Sequence, residues 1–293
     1  METTVKVTYF HQSGFSVILD RILLIFDYWQ GEEGELEGVG ITPNELKEYE
    51  HVFVFVSSTR EDQFDKVIYD WDQEGVSVHY FVPQEVKGNV RGKRMKPGEE
   101  VRLFGVRINT YASTDIGVSY LVTYNDVTIF HGGGLNLWHW REESSLSDIV
   151  KAERDFDEAM EPIEKLHIDI AMFTLDPRMG GLFDAGANHF IMAVKPRIFI
   201  PMHWQNRREI ALDYARRAKT RYTETIALTR PREQLEVTFR DTSIAWKISA
   251  ASLFEKGEVA LNSLNQDDNP FAESDLPVAL DNGETGGAET ENE

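Results

Sequence analysis

Residues 54–64 read Val-Phe-Val-Ser-Ser-Thr-Arg-Glu-Asp-Gln-Phe. The run stays apolar through Val56 and then breaks into small, charged and amide residues, so 51–56 reads as a buried strand that delivers its end into a polar loop. Upstream, 5–10, 16–19 and 22–26 are short β-rich runs with bends at Gly14 and Asp20-Arg21, an antiparallel meander. After a Gly/Glu-rich loop from Tyr28 to Gly40, Thr42-Pro43-Asn44-Glu45 carries the cap and first-turn proline of a helix. Downstream, the pattern predicts a helix over about 62–71 and strands over 76–81, 101–104, 106–111, 117–124 and 127–130, with Asn125-Asp126 turning the last hairpin. Leu146, Ile149, Val150, Phe156, Met160 and Ile163 fall at the spacing of a long amphipathic helix. Strands over 168–173 and 197–201, helices over 185–194 and 206–219, and strands near 236–239 and 244–249 complete the pattern. Patterning alone gives a mixed α/β domain.

The 293 residues suffice for a large core, and 41% hydrophobic with 27% charged residues is an ordinary soluble composition. No apolar run approaches a bilayer span, and Met1-Glu-Thr-Thr-Val-Lys leads into a strand rather than a signal peptide. The expectation is no membrane association and a cytoplasmic location. The absence of cysteine leaves His, Asp and Glu as the only strong metal ligands. A formal charge of −20 argues against nucleic acid as a partner, because phosphates would be repelled. Acidic residues recur from Asp267 to Glu293 with no Lys or Arg among them, so 264–293 reads as an acidic, disordered tail and 1–263 as the folded domain. Basic residues cluster at Lys87, Arg91, Lys93, Arg94 and Lys96, and again at Arg207, Arg208, Arg216, Arg217, Lys219 and Arg221. Solvated faces balancing the acids are the ordinary explanation; an anionic ligand or the acidic tail is the alternative.

Several loop words resemble the metallo-β-lactamase superfamily, in particular its lactonase-like branch, along most of residues 1–205. The segment 55–64 resembles Val-Ser-His-Ser-His-Gly-Asp-His-Phe, with Ser58, Arg60 and Gln63 at the histidine positions and Asp62 at the aspartate. Ile-Phe-His-Gly-Gly-Gly-Leu-Asn over 129–136 resembles a stretch ending His-Ala-Gly-Asp-Leu-Asn, with Gly134 in place of the aspartate. Tyr-Phe-His-Gln-Ser-Gly-Phe over 9–15 resembles a Tyr-x-x-His-Ser-Gly-Phe word, with Gln12 in place of histidine. Other words are kept: Ser-Thr-Asp-Ile-Gly-Val-Ser over 113–119 retains Asp115, Leu-Asp-Pro-Arg-Met-Gly over 175–180 retains Asp176, and Ile-Pro-Met-His-Trp over 200–204 retains His203.

The resemblance implies an αββα sandwich with its site at one edge between the sheets, where histidines and aspartates collect two divalent metals and a bridging hydroxide attacks a carbonyl or phosphoryl centre. It places Gln12, Ser58, Arg60, Asp62, Gln63, Asp115, Gly134 and His203 at former metal-site positions, with His131 and Asp176 as further pocket candidates. Serine and glutamine are poor ligands, and arginine is a permanent cation. With the dication gone, Arg60 is expected to point into the pocket and pair with Asp62 or Asp115. Each survivor also has a plainer reading: Asp62 as a helix cap, Asp115 and Asp176 as Asx-turn residues, and His131, His139 and His203 as packed histidines. The run Gly132-Gly133-Gly134 lacks the Lys-Ser/Thr of a P-loop and the spacing of a dinucleotide fingerprint.

The function expected from these losses is that of a non-catalytic pseudo-hydrolase without a metal cofactor, binding a small anionic ligand or a protein partner. The alternative is a hydrolase of a small ester, lactone or phosphoester that uses one divalent metal such as zinc or manganese, or a metal-free pair such as Asp62 with His203. An RNA-processing nuclease is disfavoured by the broken histidine motif and the negative charge.

Overall fold

The computed structural model describes residues 2–250 apart from 32–35, 37, 73–74, 141–142 and 241–242, so the segment 264–293 lies outside the described residues. In chain order the strands are Thr3–Tyr9 (β1), Phe15–Leu19 (β2), Ile22–Phe26 (β3), His51–Phe55 (β4), Val78–Pro83 (β5), Lys93–Met95 (β6), Glu100–Leu103 (β7), Val106–Ala112 (β8), Val118–Tyr124 (β9), Val127–His131 (β10), Ile170–Thr174 (β11), Ile198–Met202 (β12), Glu224–Thr225 (β13), Glu233–Phe239 (β14) and Ile244–Ala250 (β15). The helices are Pro43–Leu46 (α1), Leu146–Met160 (α2), Ala185–Val194 (α3) and Arg208–Arg217 (α4).

The strands form two sheets, ordered β15-β14-β1-β2-β3-β4-β5-β6 and β13-β12-β11-β10-β9-β8-β7. In each sheet an antiparallel half built from hairpins passes into a parallel half, β3 to β6 and β10 to β13. The unbroken apolar runs become β11 and β12, whose residues are all buried, as parallel strands covered on both faces require. Val7, Phe15 and Phe55 of one sheet meet Ile108, Tyr120 and Ile129 of the other in the central core. Outside the second sheet, Phe156, Phe190 and Tyr214 from α2, α3 and α4 cover Phe130, Phe173 and Phe199. Outside the first, Leu46, Ile68 and Trp71 cover Ile25, Val52 and Val54. The layers are helices, sheet, sheet, helices.

Local structure departs from the pattern where loop chemistry overrides periodicity. The helix expected over 62–71 is only a 3₁₀ helix over Lys66–Trp71, started by Asp65, whose carboxylate accepts the Val67 N–H at 3.0 Å. Among the described residues Asp62 therefore caps no helix. The helix expected from Asn206 begins at Arg208, because His203, Gln205 and Asn206 hold left-handed backbones with φ of 60°, 53° and 57°. Strands β6 and β13 are too short and too polar to show in the sequence. Much of the charge in the two basic clusters is spent on the chain itself. Arg94 donates to the carbonyls of Val86 and Gly88, Arg91 pairs with Asp72, Arg217 with Asp184 and Lys219 with Glu224. Among the described residues no helix is long and apolar enough to cross a membrane.

Candidate functional site

Parallel strands release their chains at their C-terminal ends, and here those ends converge. The segments after β3, β4, β10, β11 and β12, joined by the β8–β9 connection, surround an open cavity of about 760 Å³ lined by Trp29, Arg60, Asp62, Gln63, Asp115, Gly134, Arg178 and His203 among others. Two glycines set how closely its loops approach. A Cβ on Gly117 (φ 110°) would lie 1.9 Å from the Ser57 carbonyl oxygen, and one on Gly133 (φ 55°) 2.7 Å from the Ser57 side chain. Only glycine permits either contact, so the glycine run serves packing. At Gly134 a Cβ would sit 3.1 Å from that of Asp115, leaving little room for the aspartate that the resemblance expects.

Behind Ser57 lies Asp27, which the sequence reading does not single out. It is 1% exposed and accepts the Ser57 N–H at 2.6 Å and the Ser57 hydroxyl at 2.5 Å. Burial pushes its pKa up to about 8 against those hydrogen bonds. His131 is fully buried and stands apart from the cavity lining. Its Nε2 donates to the Ser13 carbonyl at 2.8 Å while Nδ1 accepts the Gly133 N–H at 3.2 Å, and burial holds its pKa down to about 4. It is a neutral latch between two loops. Ser58 is also buried and its hydroxyl accepts the Arg60 N–H at 3.3 Å, while Gln12 touches the site through its carbonyl, which accepts the His203 N–H at 3.1 Å.

Charge organises the rest. Arg60 forks onto Asp115 through Nε and, at 2.9 Å, Nη2. Arg178 forks onto the fully buried Asp176, with Nε at 2.9 and 3.0 Å from its two oxygens, and adds its backbone N–H at 3.0 Å. His203 lies between two carboxylates, with Nε2 2.9 Å from Asp62 and Nδ1 3.2 Å from Asp176. Ionised carboxylates only accept, so a carboxylate at each ring nitrogen favours the imidazolium form of His203. The Gln205 amide nitrogen also lies 3.3 Å from Nδ1. Burial alone would depress the His203 pKa, but the bonds to Asp176 and Asp62 outweigh it and push the value up to about 9. Burial would likewise raise Asp176, and His203 with Arg178 reverse this, holding it at about 2.

Arg60 meets one of its two expected partners, yet its side chain remains 55% exposed. The buried ionic contacts are those on Asp176, a residue that a simple Asx-turn reading undervalues: it does cap the turn at Arg178, and it holds two cations as well. An exposed pair is worth roughly 0–1 kcal/mol. Arg60→Ala should therefore lower stability by no more than about 1 kcal/mol in equilibrium urea unfolding; a loss several times larger would show that this fork carries the cavity.

No family model matches the sequence, and no curated protein is significantly similar to it. Solved structures are similar in fold. Igni18, a metallo hydrolase from the hyperthermophilic archaeon Ignicoccus hospitalis, is 17% identical, with 81% of this chain and 99% of that chain covered at a TM-score of 0.58. A putative metal-dependent hydrolase from Parabacteroides distasonis is 10% identical, with 77% and 93% covered at 0.54. The metallo-β-lactamase fold protein YhfI from Bacillus subtilis is 11% identical, with 78% and 98% covered at 0.52. The chain has the metallo-β-lactamase fold.

That fold implies a metal centre, and the residues present do not fit one. Among the described residues no three His, Asp or Glu side chains are grouped as a ligand set. Both ring nitrogens of His203 are engaged by carboxylates, and Asp115 and Asp176 are forked by guanidiniums.

Proposed function

We propose that this chain is a pseudo-hydrolase: a metallo-β-lactamase-fold protein that uses its cavity for binding, in a recognition or regulatory role, without metal-dependent hydrolysis. The observation that carries the reading is His203 held between Asp62 and Asp176 through both ring nitrogens. In that state it can serve neither as a metal ligand nor as a general base near neutral pH. Arg60 and Arg178 supply fixed positive charge in the cavity, stabilising the carboxylates without generating a nucleophile. Nearby hydroxyls offer no replacement: Ser57 and Ser58 are buried, and Thr174 donates to the Gly133 carbonyl at 2.9 Å.

The test is elemental analysis of protein purified without chelator from cells supplied with zinc, manganese and iron. Metal should fall far below one ion per chain, EDTA should leave the melting temperature unchanged, and generic esters and phosphodiesters should not be hydrolysed. Near-stoichiometric metal together with chelator-sensitive hydrolysis would refute the reading.

A further inference from the structure

The cavity wall combines balanced charge with aromatic surface. Arg60, Arg178 and His203 face Glu61, Asp62 and Asp115 on the same wall, with Asp176 behind. An anion would have to compete with the pairs that Arg60, Arg178 and His203 already make, and a cation would find Asp62 and Asp115 taken. The chain's −20 charge further opposes an anion.

Aromatic surface comes from both sheets, with Trp29 after β3 and Trp138 and Trp140 after β10. Trp138 is fixed by its indole N–H, which donates to the Gly134 carbonyl at 2.8 Å, and Trp140 lies nearly parallel to it, 16° between planes and 6.1 Å between centroids. Trp140 is 40% exposed, so the platform is held ready without being covered. A further sign of a ligand is Gln63, only 2% exposed on the cavity wall, whose Oε1 has no donor among the described residues. A buried acceptor left unmade costs stability, and a ligand donor would remove that cost.

We propose that this cavity binds a neutral sugar of one or two rings. A pyranose presents a face of C–H groups suited to stacking on tryptophan, and each of its hydroxyls both donates and accepts. The wall answers with donors and acceptors side by side: the Arg60 and Arg178 guanidiniums, the Asp62 and Asp115 carboxylates, and the orphan Gln63 oxygen. The cavity's volume lies within the range of small-ligand sites. The proposal rests on the reading of the site as a binding pocket without catalysis.

The experiment is calorimetric titration of the full chain, with tryptophan emission as a second readout, against glucose, galactose, mannose, N-acetylglucosamine, maltose, cellobiose and lactose up to about 10 mM, where a millimolar site would be filled. Inorganic phosphate, adenosine monophosphate and tetramethylammonium are the charged controls. At least one sugar should bind saturably. Trp140→Ala should weaken it about tenfold at unchanged melting temperature. Gln63→Met should weaken it while leaving the free protein at least as stable, since it removes an unsatisfied buried acceptor. No binding by any sugar, saturation by a charged control alone, or unchanged affinity in both variants would overturn the sugar proposal and leave the pseudo-hydrolase reading standing. Hydrolysis of one of the disaccharides by metal-loaded protein would overturn the pseudo-hydrolase reading, and saturable sugar binding by metal-free protein would then stand apart from it.

Discussion

Asp176→Ala should cost about 3–5 kcal/mol of folding stability at neutral pH, the typical effect of breaking a buried ion pair from one side. The carboxylate is fully buried, accepts the Arg178 fork and backbone N–H, and bonds His203 Nδ1. The two cations left behind differ. Arg178 is 57% exposed and can return to water, whereas His203 is 6% exposed and cannot without opening the loop after β12. Much of the cost therefore falls on His203, which would retain only Asp62. Asp176→Asn keeps the shape and one acceptor oxygen, so it should lose less and should lower the His203 pKa. Equilibrium urea unfolding reads the first effect and imidazole NMR titration the second. A loss below about 1 kcal/mol for Asp176→Ala would mean that the triad is no more than a surface pair.

The second large effect is a loss of stability on the alkaline side. His203 is raised in the folded state from 6.5 to about 9, so its contribution is complete below 6.5 and disappears as pH rises through 9. Asp27 acts in the same direction by another route: its folded pKa of about 8 against 3.8 favours the protonated form, so the penalty on ionisation grows from 3.8 and is complete by about 8. Asp176 works at the other end, present above 3.8 and lost as pH falls through about 2, and Asp62, lowered as well by His203 against its own burial, reinforces it. Stability should peak near pH 4, decline from there as Asp27 is forced to ionise, and fall most steeply between about pH 6.5 and 8, where the Asp27 and His203 losses overlap. A melting-temperature series should show this limb flattened in Asp27→Asn. A curve level from about pH 6 to 10 would contradict the assignment of a protonated His203.

The strands are legible where one residue type repeats. The run 51–56, the meander before it and the later strand–helix alternation announce themselves because burial imposes apolar character along the chain. The sandwich itself is legible only through the resemblance of loop words such as 113–119 and 200–204, since periodicity does not say which sheet a strand joins. The cavity's ionic wiring is not legible, because it is set by contacts across the chain: Asp62 and His203 are 141 positions apart, Asp27 and Ser57 30. Two local signals were nonetheless available for residues that the sequence reading passes over. An aspartate directly after the apolar run 22–26 marks Asp27, and the Trp-His-Trp word after the glycine run marks the aromatic wall at Trp138 and Trp140. Arg178 sits beside Asp176 in the chain, yet nothing in the sequence says that its guanidinium folds back rather than reaching into solvent.

The contact between Gly117 and Ser57 bears on how this molecule can respond to a ligand. There the β8–β9 connection of one sheet and the end of β4 in the other touch backbone to backbone, and the Val118 N–H donates to the Ser57 carbonyl at 2.9 Å. A clamshell motion that parted the sheets would have to break this join first, so the sandwich is a fixed vice rather than a hinge. Accommodation then falls to the exposed side chain at the mouth that no ion pair holds, Trp140, while the Arg60 and Arg178 forks stay on Asp115 and Asp176. Recognition by such a frame selects ligands by fit to a preset outline and reports their arrival through the rim alone.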